Sequence, residues 1–183
     1  MKTTFIYFSI ILSLLFFVSC KKDKKEEVND DTMYTNISRS IIGCISDIYN
    51  QNIAGKPSGN QNMTVSGPLG GNVTITGSNT VDDNKTNSLD FLYSLESVKY
   101  VFVSQYYTTT LTLTGTINET GSFNNNDKYL SINYKSDNLK VVGSIYYTKN
   151  EKINRDINFS GNININRNYY QTNSIIFGET VSY

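Results

Sequence analysis

The chain has 183 residues, with 16 basic and 16 acidic side chains, no histidine and no tryptophan. Zero net charge removes the electrostatic case for a nucleic-acid binder, and the missing histidine excludes Ser-His-Asp and Cys-His nucleophilic sites and the usual catalytic zinc triads. A hydrophobic content of 38%, with 14 tyrosines and 9 phenylalanines, still provides a core for one domain plus a tail or targeting segment.

The first element is not part of a domain. Lys2 gives a positive start, and 5–18 is almost continuously apolar, broken by Tyr7, Ser9 and Ser13. About 14 apolar residues are too few to cross a ~30 Å hydrocarbon core comfortably as a helix. They match the apolar region of a signal peptide, and charged residues follow at once. The run ends in Phe17-Val18-Ser19-Cys20. This tetrad resembles the lipobox of bacterial lipoproteins: an apolar residue, two smaller residues, then cysteine. The resemblance covers residues 1–20. It implies removal of 1–19 and acylation of Cys20, with palmitate or a similar chain. One acyl chain binds a bilayer reversibly, whereas two or three hold firmly. Residues 20–33, with Lys21-Lys22-Asp23-Lys24-Lys25-Glu26-Glu27 at their head, have no apolar periodicity. They are expected to form a charged flexible tether, followed by a single β-rich domain over 34–183. Cys44 is then the remaining thiol, in the apolar run Ile41-Ile42-Gly43-Cys44-Ile45, and is expected to be buried and inert, with no disulfide.

The spacing predicts one helix over 34–53. Ile37, Ile41, Ile45, Ile48 and Tyr49 recur at helical intervals, and Asp47 and Asn50 fall opposite. Asn36 or Thr35 would cap its start, and Gly55 with Pro57 would end it. Because isoleucine and Gly43 weaken helical propensity, a strand over 40–49 is the alternative. Residues 55–71 hold both prolines and five glycines and read as a loop, with a short strand at Met63-Thr64-Val65. This stretch lacks the Gly-Lys-Ser/Thr of a nucleotide-binding loop.

Strands dominate the rest. Val73/Ile75/Gly77, Leu111/Leu113/Gly115/Ile117, Leu139/Val141/Gly143/Ile145/Tyr147 and Ile157/Phe159/Gly161/Ile163/Ile165 each alternate with polar residues. That is the pattern of an antiparallel sheet wet on one face. Further strands are predicted at 88–103, 128–135 and 173–183. The first should carry a bulge, where the phase slips between Leu95 and Val98. Residues 119–127, 136–138, 150–154 and 166–173 read as polar turns. Gly77, Gly115, Gly143 and Gly161 share the apolar face, predicting a line of curvature that wraps the sheet round the helix, with Gly43 at the closest approach. The expected architecture is α+β, mostly β: a curved antiparallel β-meander of about seven strands packed on one N-terminal helix. An all-β, partly open barrel is the alternative.

No catalytic constellation stands out. Asp82-Asp83 reads as a hydrated turn. Asn124-Asn125-Asn126-Asp127 lacks the carboxylate spacing of a calcium loop, and Glu179 reads as an edge charge. Neither cofactor nor metal is expected. The candidate binding aromatics are the pairs Tyr106-Tyr107, Tyr146-Tyr147 and Tyr169-Tyr170, since tyrosine joins an apolar body to a polar tip. In a strand, one of each pair faces inward and serves the core. The expected function is that of a lipid-anchored envelope lipoprotein with a non-catalytic, structural or surface-binding domain. It would sit at the outer membrane or cell surface rather than the inner membrane. The partner beyond the bilayer is left open among a glycan, a protein and a lipid, with no nucleic acid. The alternative is a carrier of a lipid or other apolar ligand in the concave face of the sheet.

Overall fold

A computed structural model describes residues 30–124, 126, 129–148 and 153–183. The signal peptide, the lipobox, Cys20 and most of the expected tether lie outside the described residues. Helix α1 spans Asp30–Asn52, so 30–33 is helical rather than tether. Asp30 and Asp31 fall in its first turn, where negative charge meets the positive end of the helix dipole, and Met33 already packs on the core. The helix ends where Ile53 and Ala54 both bond the Tyr49 carbonyl and Gly55 takes φ +81°, a conformation glycine adopts without strain.

Eight strands follow: β1 (Gly59–Ser66), β2 (Asn72–Val81), β3 (Asn87–Val103), β4 (Tyr107–Asn124), β5 (Tyr129–Tyr147), β6 (Asn154–Asn168), β7 (Thr172–Ile176) and β8 (Glu179–Ser182). They form one antiparallel sheet in sequential order, with β1 and β8 as its free edges. The fold is therefore the expected α+β meander on one helix, not an all-β barrel. α1 packs against β3, β4, β7 and β8. Ile37, Ile41, Cys44, Ile45 and Ile48 of the helix share one core with Phe91, Tyr93, Leu113, Ile117, Tyr134 and Ile165 of the sheet.

Several predicted boundaries move. The strand at Met63 is longer than expected, an eight-residue edge strand. β4 continues to Asn124, so 119–124 is strand rather than turn. Ser136-Asp137-Asn138 is not a hairpin loop but a register shift within the continuous β5. Asn138 Oδ1 there accepts the Thr116 backbone N–H at 3.0 Å and the Thr116 hydroxyl at 2.9 Å. A side chain typical of turns thus satisfies a backbone group that the irregular ladder leaves unpaired. The 173–183 segment splits into β7 and β8, folded back at Phe177-Gly178. The bulge between Leu95 and Val98 is present, with Ser97 at φ 51°.

The inward glycines permit the curvature. A Cβ on Gly77 or Gly143 would strike the backbone carbonyl of Asp90 or Thr110 on the neighbouring strand. In register, Gly77 lies level with Glu119 of β4 through Phe91, and Gly143 level with Leu111. Together with Gly115 they trace a diagonal across the strands, and Gly161, opposite Leu139, steps off it. Gly43 does mark the close approach: a Cβ there would come within 2.7 Å of the Tyr100 hydroxyl.

Candidate functional site

The helix fills the concave face with its isoleucines, but one flank is left open. Arg39, Ile42, Gly43, Ser46, Tyr49 and Asn50 recur every three or four residues along α1. They form one wall of a groove of about 590 Å³. The facing wall includes Leu89, Phe123, Leu130 and Ile132, with Glu119, Tyr134, Arg167 and Tyr183 as its polar groups. Its volume falls within the ~300–1,000 Å³ typical of ligand pockets. A second hollow of about 500 Å³ adjoins it, sharing Phe123, Leu130, Arg167, Thr172 and Tyr183.

Glu119 is the unusual group. It continues the inward phase of Leu111, Leu113 and Ile117 on β4, so the alternation that builds the core also buries a carboxyl, leaving it 3% exposed. The Tyr93 hydroxyl donates to its Oε2 at 2.6 Å, and Tyr134 is its direct cross-strand partner on β5. Burial pushes the carboxyl up to about 7, while the Tyr93 and Tyr134 hydroxyls pull the other way. Burial first, then the charge of Glu119, raises both phenols. A carboxyl poised near neutrality in a cleft can exchange a proton with a bound molecule. It is, however, the only side-chain carboxylate among the residues lining this groove, so it lacks the opposed side-chain partner that paired acid–base chemistry needs.

The groove's cations stand near the C-terminal strand. The Arg39 guanidinium lies 4.7 Å over the centroid of the Tyr183 ring, a favourable cation–π distance. Arg167 also acts on that phenol. The Tyr183 hydroxyl donates to Ser38 Oγ at 2.7 Å, and Ser38 bonds Ser174 at 2.8 Å, which pins the ring between helix and sheet.

The predicted tyrosines divide into two places. Pairing of β4 with β5 sets Tyr107 opposite Tyr147 and Thr108 opposite Tyr146, so two of the three pairs come together at one end of the sheet. Tyr107 and Tyr147 are buried, and Tyr106 and Tyr146 are exposed. Asn36 donates to the Tyr147 hydroxyl at 3.5 Å, and the inner rings border a hollow of about 320 Å³ with Asn36 and Arg39. Tyr169 and Tyr170 sit apart, on the β6–β7 turn. Both are exposed and packed edge to face with centroids 5.2 Å apart, and they border the second hollow. Asp82 bonds the Thr86 N–H within a turn, and Glu179 is exposed at the start of edge strand β8. Cys44 is buried, its thiol pushed up to about 12 by burial. Among the described residues no three His, Cys, Asp or Glu side chains cluster to hold a metal ion, and no helix is long and apolar enough to cross a membrane.

The sequence placed Arg39 on the polar side of the helix and Glu119 at the start of a polar turn, and singled out neither of them, nor Arg167, as a site residue. The signal for Glu119 was present: it is the next inward position after Ile117. Comparison with protein-family models, curated proteins and solved structures gave no match.

Proposed function

We propose that the protein is a bacterial envelope lipoprotein, anchored through acyl chains on Cys20, whose β-rich domain is a non-catalytic binding module displayed at the outer membrane or cell surface. The anchor rests on Phe17-Val18-Ser19-Cys20 at the end of the apolar run and on the charged stretch after it. The binding role rests on one observation: an open groove of about 590 Å³ flanks the helix and carries apolar and charged side chains together. Its lone carboxyl, without an opposed base or nucleophile, favours binding over turnover. The carrier reading keeps a narrower place, because α1 occupies the concave face and a ligand would lie beside the helix rather than beneath the sheet.

Metabolic labelling with radioactive palmitate tests the anchor. The wild-type chain is expected to take the label and Cys20→Ala to lose it. Label retained by Cys20→Ala removes the lipidation reading. Protease shaving of intact cells should degrade the domain if it is displayed on the surface, and protection would place it inside the envelope.

A further inference from the structure

The groove combines two features that a merely incomplete core would not require. Its wall includes the apolar side chains of Ile42 on the helix and of Leu89, Phe123, Leu130 and Ile132 on the sheet, of which Ile42, Leu89 and Ile132 are largely buried. Arg39 and Arg167 also line it, from α1 and β6, and neither forms a salt bridge among the described residues. Both guanidiniums act on the same ring, Tyr183, so the two positive charges converge on one part of the groove. The single side-chain carboxyl in the lining, Glu119, lies on the floor, bonded by Tyr93. Burial pushes this carboxyl up to about 7, which favours its neutral form in acid and leaves the two arginines as the permanently charged side chains of the lining.

We propose that this groove binds a free single-chain amphipathic carboxylate, with its acyl chain against the helix flank and its head group held by Arg39 and Arg167. The inference rests on the reading of the domain as a binding module and names its ligand. The charges decide the head group. A guanidinium fork matches a carboxylate in plane and spacing, and such bonds are strengthened where water is partly excluded. The shape decides the chain. One flank of one helix, facing one wall of strands, leaves a furrow rather than the wide flat face that a bilayer surface or a folded partner would cover. A neutral apolar ligand would leave both arginines unanswered, and a cationic one would oppose them.

The test is calorimetric titration of the mature chain bearing Cys20→Ser, which keeps every described residue, at pH 6.5. Dodecanoate is expected to bind at one site, octanoate at least tenfold more weakly and dodecyltrimethylammonium not measurably. Arg39→Gln with Arg167→Gln should weaken dodecanoate at least tenfold, while Arg39→Lys with Arg167→Lys, which keeps the charge but not the planar fork, should recover only part of the loss. The lysine pair keeps the test decisive if the glutamine pair alters the fold, which circular dichroism would reveal. Equal binding of the anionic and cationic amphiphiles would overturn the proposal, as would unchanged binding in a folded glutamine variant. Binding to phosphatidylglycerol vesicles without uptake of free dodecanoate would reassign the arginines to a membrane surface. If dodecanoate fails to bind while the wild-type chain still takes palmitate at Cys20, the ligand class falls and the anchor stands.

Discussion

Two flanks of the same helix meet very different surroundings. On one, Ile37, Ile41, Ile45 and Ile48 are wholly buried in a core shared with the sheet. On the other, Arg39, Gly43, Ser46 and Asn50 face a groove. The contrast shows that curling the sheet does not by itself close it round the helix. α1 is met by β3 and β4 and by the short β7 and β8, and the groove remains beside it. Where the sheet follows the isoleucine face the packing is dry, and where it does not, charged and polar side chains take over. Stability is therefore concentrated on one flank, and the charged and polar side chains on the other.

Truncation should expose that division most strongly. Ile45→Ala removes a fully buried side chain from the sealed flank and is expected to cost about 2–5 kcal/mol in denaturant unfolding. Ile42→Ala, at the edge of the groove, should cost clearly less, since its cavity opens onto solvent-accessible space. Equal losses at the two positions would mean that the groove is as well packed as the core and would erase the comparison.

Glu119 is the second lever, because it sits where the two environments meet. Its folded carboxyl titrates near 7 against an ordinary value of 4.5, so the native state holds this proton more tightly than the unfolded chain does. The stabilising contribution is therefore fully present below about pH 4.5 and is lost as pH rises through about 7. A shift of this size corresponds to a loss on the order of 3 kcal/mol. Glu119→Gln should flatten the stability profile between pH 4.5 and 8 in urea titrations. A wild-type profile already flat across that range would show that the carboxyl is solvated.

Gly43→Ala probes the closest approach of helix and sheet. The added methyl group meets the Tyr100 hydroxyl, which donates to Asp47 Oδ2 at 3.1 Å. That atom is the far end of a side chain and can move. A gain of ~1 kcal/mol in helix propensity is then offset by about the same from the displaced hydrogen bond. Thermal unfolding should place the variant within about 1 kcal/mol of wild type, and a much larger loss would show Tyr100 to be fixed.

The sequence disclosed the sealed flank far better than the open one. Ile37, Ile41, Ile45 and Ile48 recur at helical spacing, and the strands alternate apolar and polar residues, because burial selects residue type position by position. The bulge after Leu95 was legible as a slip of phase. What misled were turn-forming residues used inside a strand: Ser136, Asp137 and Asn138 carry hairpin chemistry but serve a bulge. Glu119 was hidden by the same bias, since a carboxylate beside Gly121 and three asparagines reads as a loop. Arg39 and Arg167 are 128 positions apart in the chain, and only the β6–β7–β8 return brings them to one ring. Convergence of that kind leaves no local pattern to read.

The smallest expected effect lies at the far end of the open region. Tyr170 is 92% exposed on the β6–β7 turn and touches Tyr169 edge to face. The turn has its own hydrogen bonds: Asn168 Oδ1 accepts the backbone N–H groups of Tyr170 and Gln171, each at 2.9 Å. Backbone geometry here is thus fixed by Asn168, not by the rings. Tyr170→Ala should change stability by less than about 0.5 kcal/mol, as surface substitutions away from structural features do. A loss above about 1 kcal/mol in the same unfolding assay would make the ring pair a structural clamp. A near-zero change leaves an exposed aromatic side chain bordering the second hollow that the fold does not require, and Tyr170→Ala then becomes the least disruptive variant with which to ask whether the proposed ligand site extends from the groove to this turn.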